Sequence, residues 1–346
     1  MQKQVIAGID IGGTKTAVVL AAEPPQLLVR EAFPTRPQNG PEQAITAIIA
    51  SVHRALASSN TRQGDLAAIG VSCGGPLDSD RGIIQSPPNL STWVDVPICG
   101  ILETEFGVPC FLENDANAGA LAELRFGAGR GAKDLIFLTM GTGLGAGLIL
   151  NGELRRGASQ SAGEIGHVRL TRSGPVGHGR AGTVEGWASG GGMAQVARMF
   201  VKAAQARGES TLLEKKELKK LTARDVAEAA CKGDRVAQAV VTRSGEKLGE
   251  ALAILVDVIN PERIVVGGLA LRFGEAILGP ARKRMMREAL PNAARVCSVV
   301  PAGLGEAIGD VAALCVAVDG LAKIGRRSET GNGPRAGALE PAVANG

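Results

Sequence analysis

The apolar run Val5–Ile11 is broken by a polar tip, Gly12-Gly13-Thr14-Lys15, and resumes as Thr16-Ala17-Val18-Val19-Leu20. This pattern predicts a strand, a tight turn and a second strand. Residues 26–33 can add a third strand. Residues 41–59 carry apolar positions at helical spacing (Ala44, Ile45, Ile48, Ile49, Val52, Leu56), which predicts a helix packed on the strands. A buried strand at 67–72 ends in the loop Cys73-Gly74-Gly75-Pro76-Leu77-Asp78, and Ser86-Pro87-Pro88-Asn89-Leu90 forms a second rigid loop. After a predicted helix at 97–106, a short strand at 109–112 runs into Glu113-Asn114-Asp115-Ala116-Asn117-Ala118. That segment opens an alanine-rich helix at 116–125.

Residues 134–150 repeat the opening pattern: an apolar strand, the turn Gly141-Thr142-Gly143-Leu144-Gly145, and a second apolar strand. Two copies of one hairpin argue for a duplicated, two-lobed fold. The stretch 157–192 is rich in Gly and Ser and holds two of the three histidines, His167 and His178. Helical spacing returns at 192–207, and Thr222 caps a short helix. A longer helix is predicted at 234–259. The charged stretch 214–220 reads as a solvated helix or loop. A strand at 263–266 ends in Gly267-Gly268, and a closing helix is predicted at 309–324. From 325 to 346, Gly, Pro, Ala and charges leave nothing to bury, which predicts a disordered tail.

Composition narrows the class. The chain has 346 residues, 45% hydrophobic and 21% charged, enough for two soluble domains. Aromatics are 3% and tyrosine is absent, so the core is aliphatic; 48 glycines imply many turns and close backbone approaches. A net charge of +4 without a basic, aromatic-laced face gives nucleic-acid binding no support. The six cysteines show no C-x-x-C pair, which suggests reduced thiols. No leader or membrane-length apolar run is visible. A cytoplasmic protein is the expectation.

The first turn has two chemical readings. Gly12 and Gly13 leave room for an anion, so the turn amides with Thr14 and Lys15 can surround a phosphate, and Asp10 at its mouth suits Mg²⁺ carried by a nucleotide. It also reads as an ordinary glycine hairpin with a surface acid. Asn89 is either held toward a site by its prolines or part of a plain proline turn. At 113–117 one residue must cap the helix, but two acids and two amides are present, which favours a site. Gly141, Gly143 and Ala146 match a loose dinucleotide fingerprint, but that motif must open a helix and here a strand follows. Lys15 follows Thr14 rather than Gly, so no Walker A loop is formed.

The ordered motifs DIGGTK (10–15), CGGPLD (73–78), PPNL (87–90), ENDAN (113–117), GTGLGAG (141–147), GEIGH (163–167) and VVGG (265–268) resemble the ROK family of sugar kinases and repressors. The resemblance spans roughly residues 5–324. It implies an α/β, two-lobed, duplicated actin-like ATPase (ribonuclease H-like) fold with a nucleotide and sugar cleft between lobes. The lobes expected are 1–115 with 309–324, and 116–308. It implies ATP-dependent phosphorylation of a hexose 6-hydroxyl, glucose first, with Asp115 as base. N-acetylhexosamine, mannose or fructose kinases and a non-catalytic sugar sensor are the alternatives. Four residues precede Val5, so a helix-turn-helix domain ahead of the first hairpin is not expected.

Sugar contacts implied are Gly75, Asn89, Asn114, Asp115, Glu164, His167 and Glu185. Nucleotide contacts implied are Asp10, Gly12, Gly13, Thr14, Lys15, Gly141, Thr142, Gly143, Gly267 and Gly268, with Mg²⁺ held at Asp10 through phosphates. A homodimer is common in the family. Many members bind a structural zinc through the GEIGH histidine and three cysteines. Val176, His178 and Thr183 stand at those cysteine positions here, so no structural zinc is expected, and Gly-rich turns with Trp187 are expected to hold the loop.

Overall fold

The computed structural model describes residues 4–329. Two five-stranded sheets dominate it. In the first, Val29–Pro34, Lys15–Ala21, Val5–Ile11, Leu66–Cys73 and Cys110–Asn114 lie side by side. The first two pairings are antiparallel and the next two parallel. In the second, Glu153–Arg155, Leu144–Leu150, Leu135–Met140, Arg263–Val266 and Ser298–Pro301 repeat the order and the senses. The duplication expected from the two hairpins is therefore a duplication of whole sheets.

Register places the chemistry. Asp10 pairs with Ser72, and Cys73 pairs with Asn114. The parallel strands therefore end together, and the polar residues that follow each strand crowd onto one edge, where ligands collect in α/β sheets. Two elements depart from expectation. The third strand begins at Val29 rather than 26, because Gln26 N–H closes a turn onto Glu23 O across Pro24-Pro25. The closing helix runs Ile308–Glu329. Residues 325–329 are thus helical rather than part of a disordered tail: charged residues can extend a helix without apolar surface to bury, and Arg326 Nε donates to Ala322 O at 3.4 Å. The remainder of that tail lies outside the described residues.

The closing helix packs on Val5–Ile11 and Leu66–Cys73, while the helix Asp115–Phe126 packs on Leu135–Met140 and Leu144–Leu150; the two helices also pack on each other. Both approaches need glycine. A Cβ on Gly70 would stand 2.2 Å from Ala313 O, and one on Gly147 would stand 2.3 Å from Ala116 O. A small-lobe core (Ile9, Ile48, Ile69, Leu102) and a larger one (Ile136, Val196, Leu252, Ile264) flank this pair. A third cluster joins Val311 and Cys315 of the closing helix to Phe137 and Val265 of the second sheet. Cys231 is exposed, the other five cysteines are buried and none is bonded to another. Among the described residues no helix is long and apolar enough to cross a membrane.

Gly70→Ala forces the closing helix off its strand and is expected to cost about 1–3 kcal/mol. Gly64→Ala, where a Cβ meets nothing within 4 Å, is expected to stay within about 0.5 kcal/mol. Urea unfolding of the two variants checks this; equal midpoints would mean the helix does not sit that close.

Candidate active site

The junction at 113–117 divides its tasks. Asn114 is the N-cap: its Oδ1 accepts from Ala116 N–H at 2.9 Å and from Asn117 N–H at 3.4 Å. Capping is thus done by Asn114, which leaves Asp115 at the first helical position with its side chain open to the cleft. Asp115 Oδ1 accepts from Ala116 N–H at 2.8 Å. Desolvation between the lobes, with Glu164 nearby, holds its carboxyl above the ordinary carboxylate value against that hydrogen bond. A Cβ on Gly75 would come 3.4 Å from Asn114 Nδ2, so the loop after Leu66–Cys73 lies against the junction.

The first turn faces the same space. Gly12 N–H donates to Lys15 O at 3.0 Å, and Thr35 Oγ1 donates to Gly12 O at 2.6 Å. A Cβ on Gly13 would stand 2.6 Å from Asn89 Cβ, so the two rigid segments touch. Thr14 and Lys15 are exposed. Burial, then Asp115 and Asp310, raise Asp10 to about 6, while Lys15 and Arg30 work in the other direction. Arg30 Nε lies 2.5 Å from Asp310 Oδ2. Crowded acids of this kind suit a divalent cation, which would relieve the repulsion.

From the second lobe come Glu164 and His167, both exposed, with His167 Nε2 3.7 Å from Glu164 Oε2. The His167 ring stacks on His178 with centroids 3.9 Å apart. His178 Nε2 lies 3.0 Å from Glu185 Oε2, and the same oxygen accepts from Leu144 N–H at 3.2 Å. Glu185 therefore links the second turn, at Gly143-Leu144, to the histidine pair. The expected contribution of Trp187 is present: its Nε1 donates to Thr171 Oγ1 at 2.9 Å. Gln195 adds two bonds that spacing did not suggest, to Val176 N–H and Val176 O.

Gly141 O and Thr142 O accept from Gly190 and Gly191 N–H at 2.8 and 3.3 Å, which fastens the second turn to the start of the helix Gly190–Ala206. Gly141, Thr142 and Gly268 line a cavity of ≈1370 Å³. Gly267 does not line it; it is buried, its N–H bonded to Leu138 O, and a Cβ there would meet the Phe137 ring at 2.9 Å. Of the Gly-Gly pair, Gly268 alone reaches the cavity, at φ 63°. Leu269, Leu271 and Arg272 follow Gly268 along the lining, and another wall carries Lys219, Lys220 and Arg224. Sequence reasoning missed this wall and read 214–220 as plainly solvated. Its shape comes from Arg198, which donates to Leu218 O and Lys219 O, and nothing in the local pattern announces that contact.

The ROK family model matches residues 6–319. The glucokinase of Halalkalibacterium halodurans is 34% identical over 311 residues, covering 89% of this chain and 93% of that protein. The xylose repressor of Caldicellulosiruptor bescii is 30% identical over 279 residues, covering 80% and 69%. Among solved structures, a ROK family glucokinase from Streptomyces griseus in complex with glucose and AMPPNP has a TM-score of 0.76 at 33% identity, covering 91% of this chain and 99% of that one. The two repeated sheets are those of the duplicated actin-like ATPase fold, and the chain belongs to the ROK family.

Proposed function

We propose that this chain is an ATP-dependent sugar kinase that phosphorylates the 6-hydroxyl of a hexose, glucose first. The observation that carries the reading is Asp115, an uncapped carboxylate open to a cleft that two glycine turns and Asp10 also border. Transfer to a hydroxyl needs a base at the acceptor and a cradle for the phosphates, held in line. Asp115 takes the hydroxyl proton; its raised affinity for protons moves it toward the range in which a carboxylate works as a base near neutrality. Asn114, Asn89, Gly75, Glu164, His167 and Glu185 surround the sugar. Carboxylates with two acceptor oxygens each suit adjacent ring hydroxyls. The turns at 12–15 and 141–143, with Gly268, hold the phosphates, and the large cavity takes the nucleoside. Asp10 would hold Mg²⁺ through the phosphates, where the ion neutralises charge on the transferred group.

The repressor relatives share this module, so turnover decides. Asp115→Asn is expected to lower kcat about 10²- to 10⁴-fold while glucose and ATP still bind, as measured by coupled ADP release and calorimetry. Near-normal turnover in the folded variant removes Asp115 from the role. The same assay with mannose, fructose, N-acetylglucosamine and N-acetylmannosamine is expected to give the highest kcat/KM for glucose.

Asp10 gives a pH signature. Between about pH 4 and 6 the folded chain keeps a proton on Asp10 that the unfolded chain has released. Stability from this group is therefore full below the unfolded value and is lost as pH rises through about 6. In metal-free buffer Asp10→Asn is expected to exceed the unaltered chain by up to about 3 kcal/mol above pH 6, the gap closing near pH 4. Urea unfolding across that range checks it, and a pH-independent gap rejects it. Elemental analysis is expected to find no stoichiometric zinc.

A further inference from the structure

We propose that Arg156 is a positioning residue that locks the catalytic junction of one sheet to the sugar-binding loop of the other. This inference rests on the kinase reading above. Arg156 directly follows the strand Glu153–Arg155 at the edge of the second sheet. Glu113 lies in Cys110–Asn114, the edge strand of the first sheet, two residues before Asp115. Arg156 Nε donates to Glu113 Oε2 at 2.7 Å, and its Nη2 lies 2.5 Å from the same oxygen. The ion pair therefore crosses from one lobe to the other, with the Glu113 side chain 3% exposed and that of Arg156 24%.

The remaining acceptor capacity of Glu113 is used on the junction itself. Glu113 Oε1 accepts from Asn114 N–H at 3.0 Å and from Asn117 Nδ2 at 2.9 Å. Four donors fill both carboxylate oxygens, and two of them belong to the N-cap residue and to the first turn of the helix that carries Asp115. At the other end, Arg156 O accepts from Ala162 N–H at 2.9 Å and closes the loop 156–162. Gly163 O then accepts from Ala146 N–H at 2.9 Å, and Glu164 follows. A second crossing starts from the same loop: Gln160 Oε1 accepts from Ser79 N–H at 2.7 Å. A third segment steadies the guanidinium. Asp319 of the closing helix lies 3.9 Å from Arg156 Nη2 and is itself held by Lys323 at 2.7 Å and Arg125 at 3.7 Å.

One guanidinium thus sets the distance between the base and the loop that presents Glu164 and His167. A buried pair adds little net stability over apolar replacements, whereas removing one partner strands a buried charge. That asymmetry separates positioning from mere support. Arg156→Met alone is expected to lower both the melting temperature and kcat. In the double variant Glu113→Gln with Arg156→Met no buried charge is left unpaired, so the melting temperature is expected to recover most of the loss. Its kcat is expected to stay about a hundredfold down, because an ångström of misplacement costs that much, and its KM for glucose to rise.

Arg156→Lys gives an independent reading. It keeps the charge but cannot present two N–H groups to one oxygen, so it is expected to fold and to lose about tenfold in kcat. If the double variant regains the kcat and KM of the unaltered chain together with its melting temperature, the pair is only structural and the proposal falls. Arg156→Lys with unchanged kcat also overturns it, including where the double variant does not fold. If the unaltered chain turns over no sugar at all, the kinase reading fails and takes this inference with it; loss confined to the variants supports both.

Discussion

Two sheets can present their strand ends to one cleft only if the helices between them lie close to both, and here that closeness is a matter of missing side chains. Gly70 brings the backbone of the closing helix onto the first sheet, and Gly147 brings the start of Asp115–Phe126 onto the second. A methyl group at either position would push a helix outward by more than a core can absorb without strain. The consequence for chemistry is direct. Asp115 is the first residue of the helix seated by Gly147, and Asp10 lies on the strand that the closing helix covers. Separation of the acids on the cleft walls is therefore set by backbone contact several residues away from them.

That arrangement concentrates negative charge. Asp10, Asp115, Asp310 and Glu164 bear on one another; Asp310 is paired closely with Arg30, and His167 lies 3.7 Å from Glu164. Burial raises the proton affinity of Asp10 and Asp115 more than Lys15, Arg30 and the Ala116 N–H lower it. In the phosphoryl transfer proposed above, the crowding has two uses. A carboxylate with raised affinity for protons is a better base toward a sugar hydroxyl, and an acid pocket left short of positive charge attracts the cation that accompanies a nucleotide. Both uses require the acids to stay together, and the close packing at Gly70 and Gly147 keeps them so.

Much of this was legible from local pattern, for a physical reason. Strand, turn and strand alternate in apolar content within a dozen residues, so both hairpins and their duplication stand out before any contact is known. The junction at 113–117 was legible because it carries more polar residues than capping needs, and Asn114 proved to be the cap. What stayed hidden depends on distant partners. Lys219 and Lys220 read as solvated charge, yet Arg198 holds their segment so that both line the cavity. Gly267 and Gly268 look equivalent in sequence, yet Phe137 buries one and a positive φ turns the other outward. The last turn of the closing helix lacks apolar residues and therefore gave no periodic signal.

The loop from 157 to 190 shows how one framework keeps its shape with different chemistry. Val176, His178 and Thr183 each have a local partner. Val176 is gripped on both backbone groups by Gln195, Thr183 caps the helix carrying Glu185, and His178 stacks on His167 while facing Glu185. Hydrogen bonds and one aromatic stack, spread over several residues, hold this stretch. The aromatic stack leaves both imidazoles half exposed, each ring steadied by the other. Leu144 N–H and His178 both hold Glu185 Oε2, from two different segments. The geometry around Glu185 and His167 is thus carried by hydrogen bonds and stacking within the second lobe.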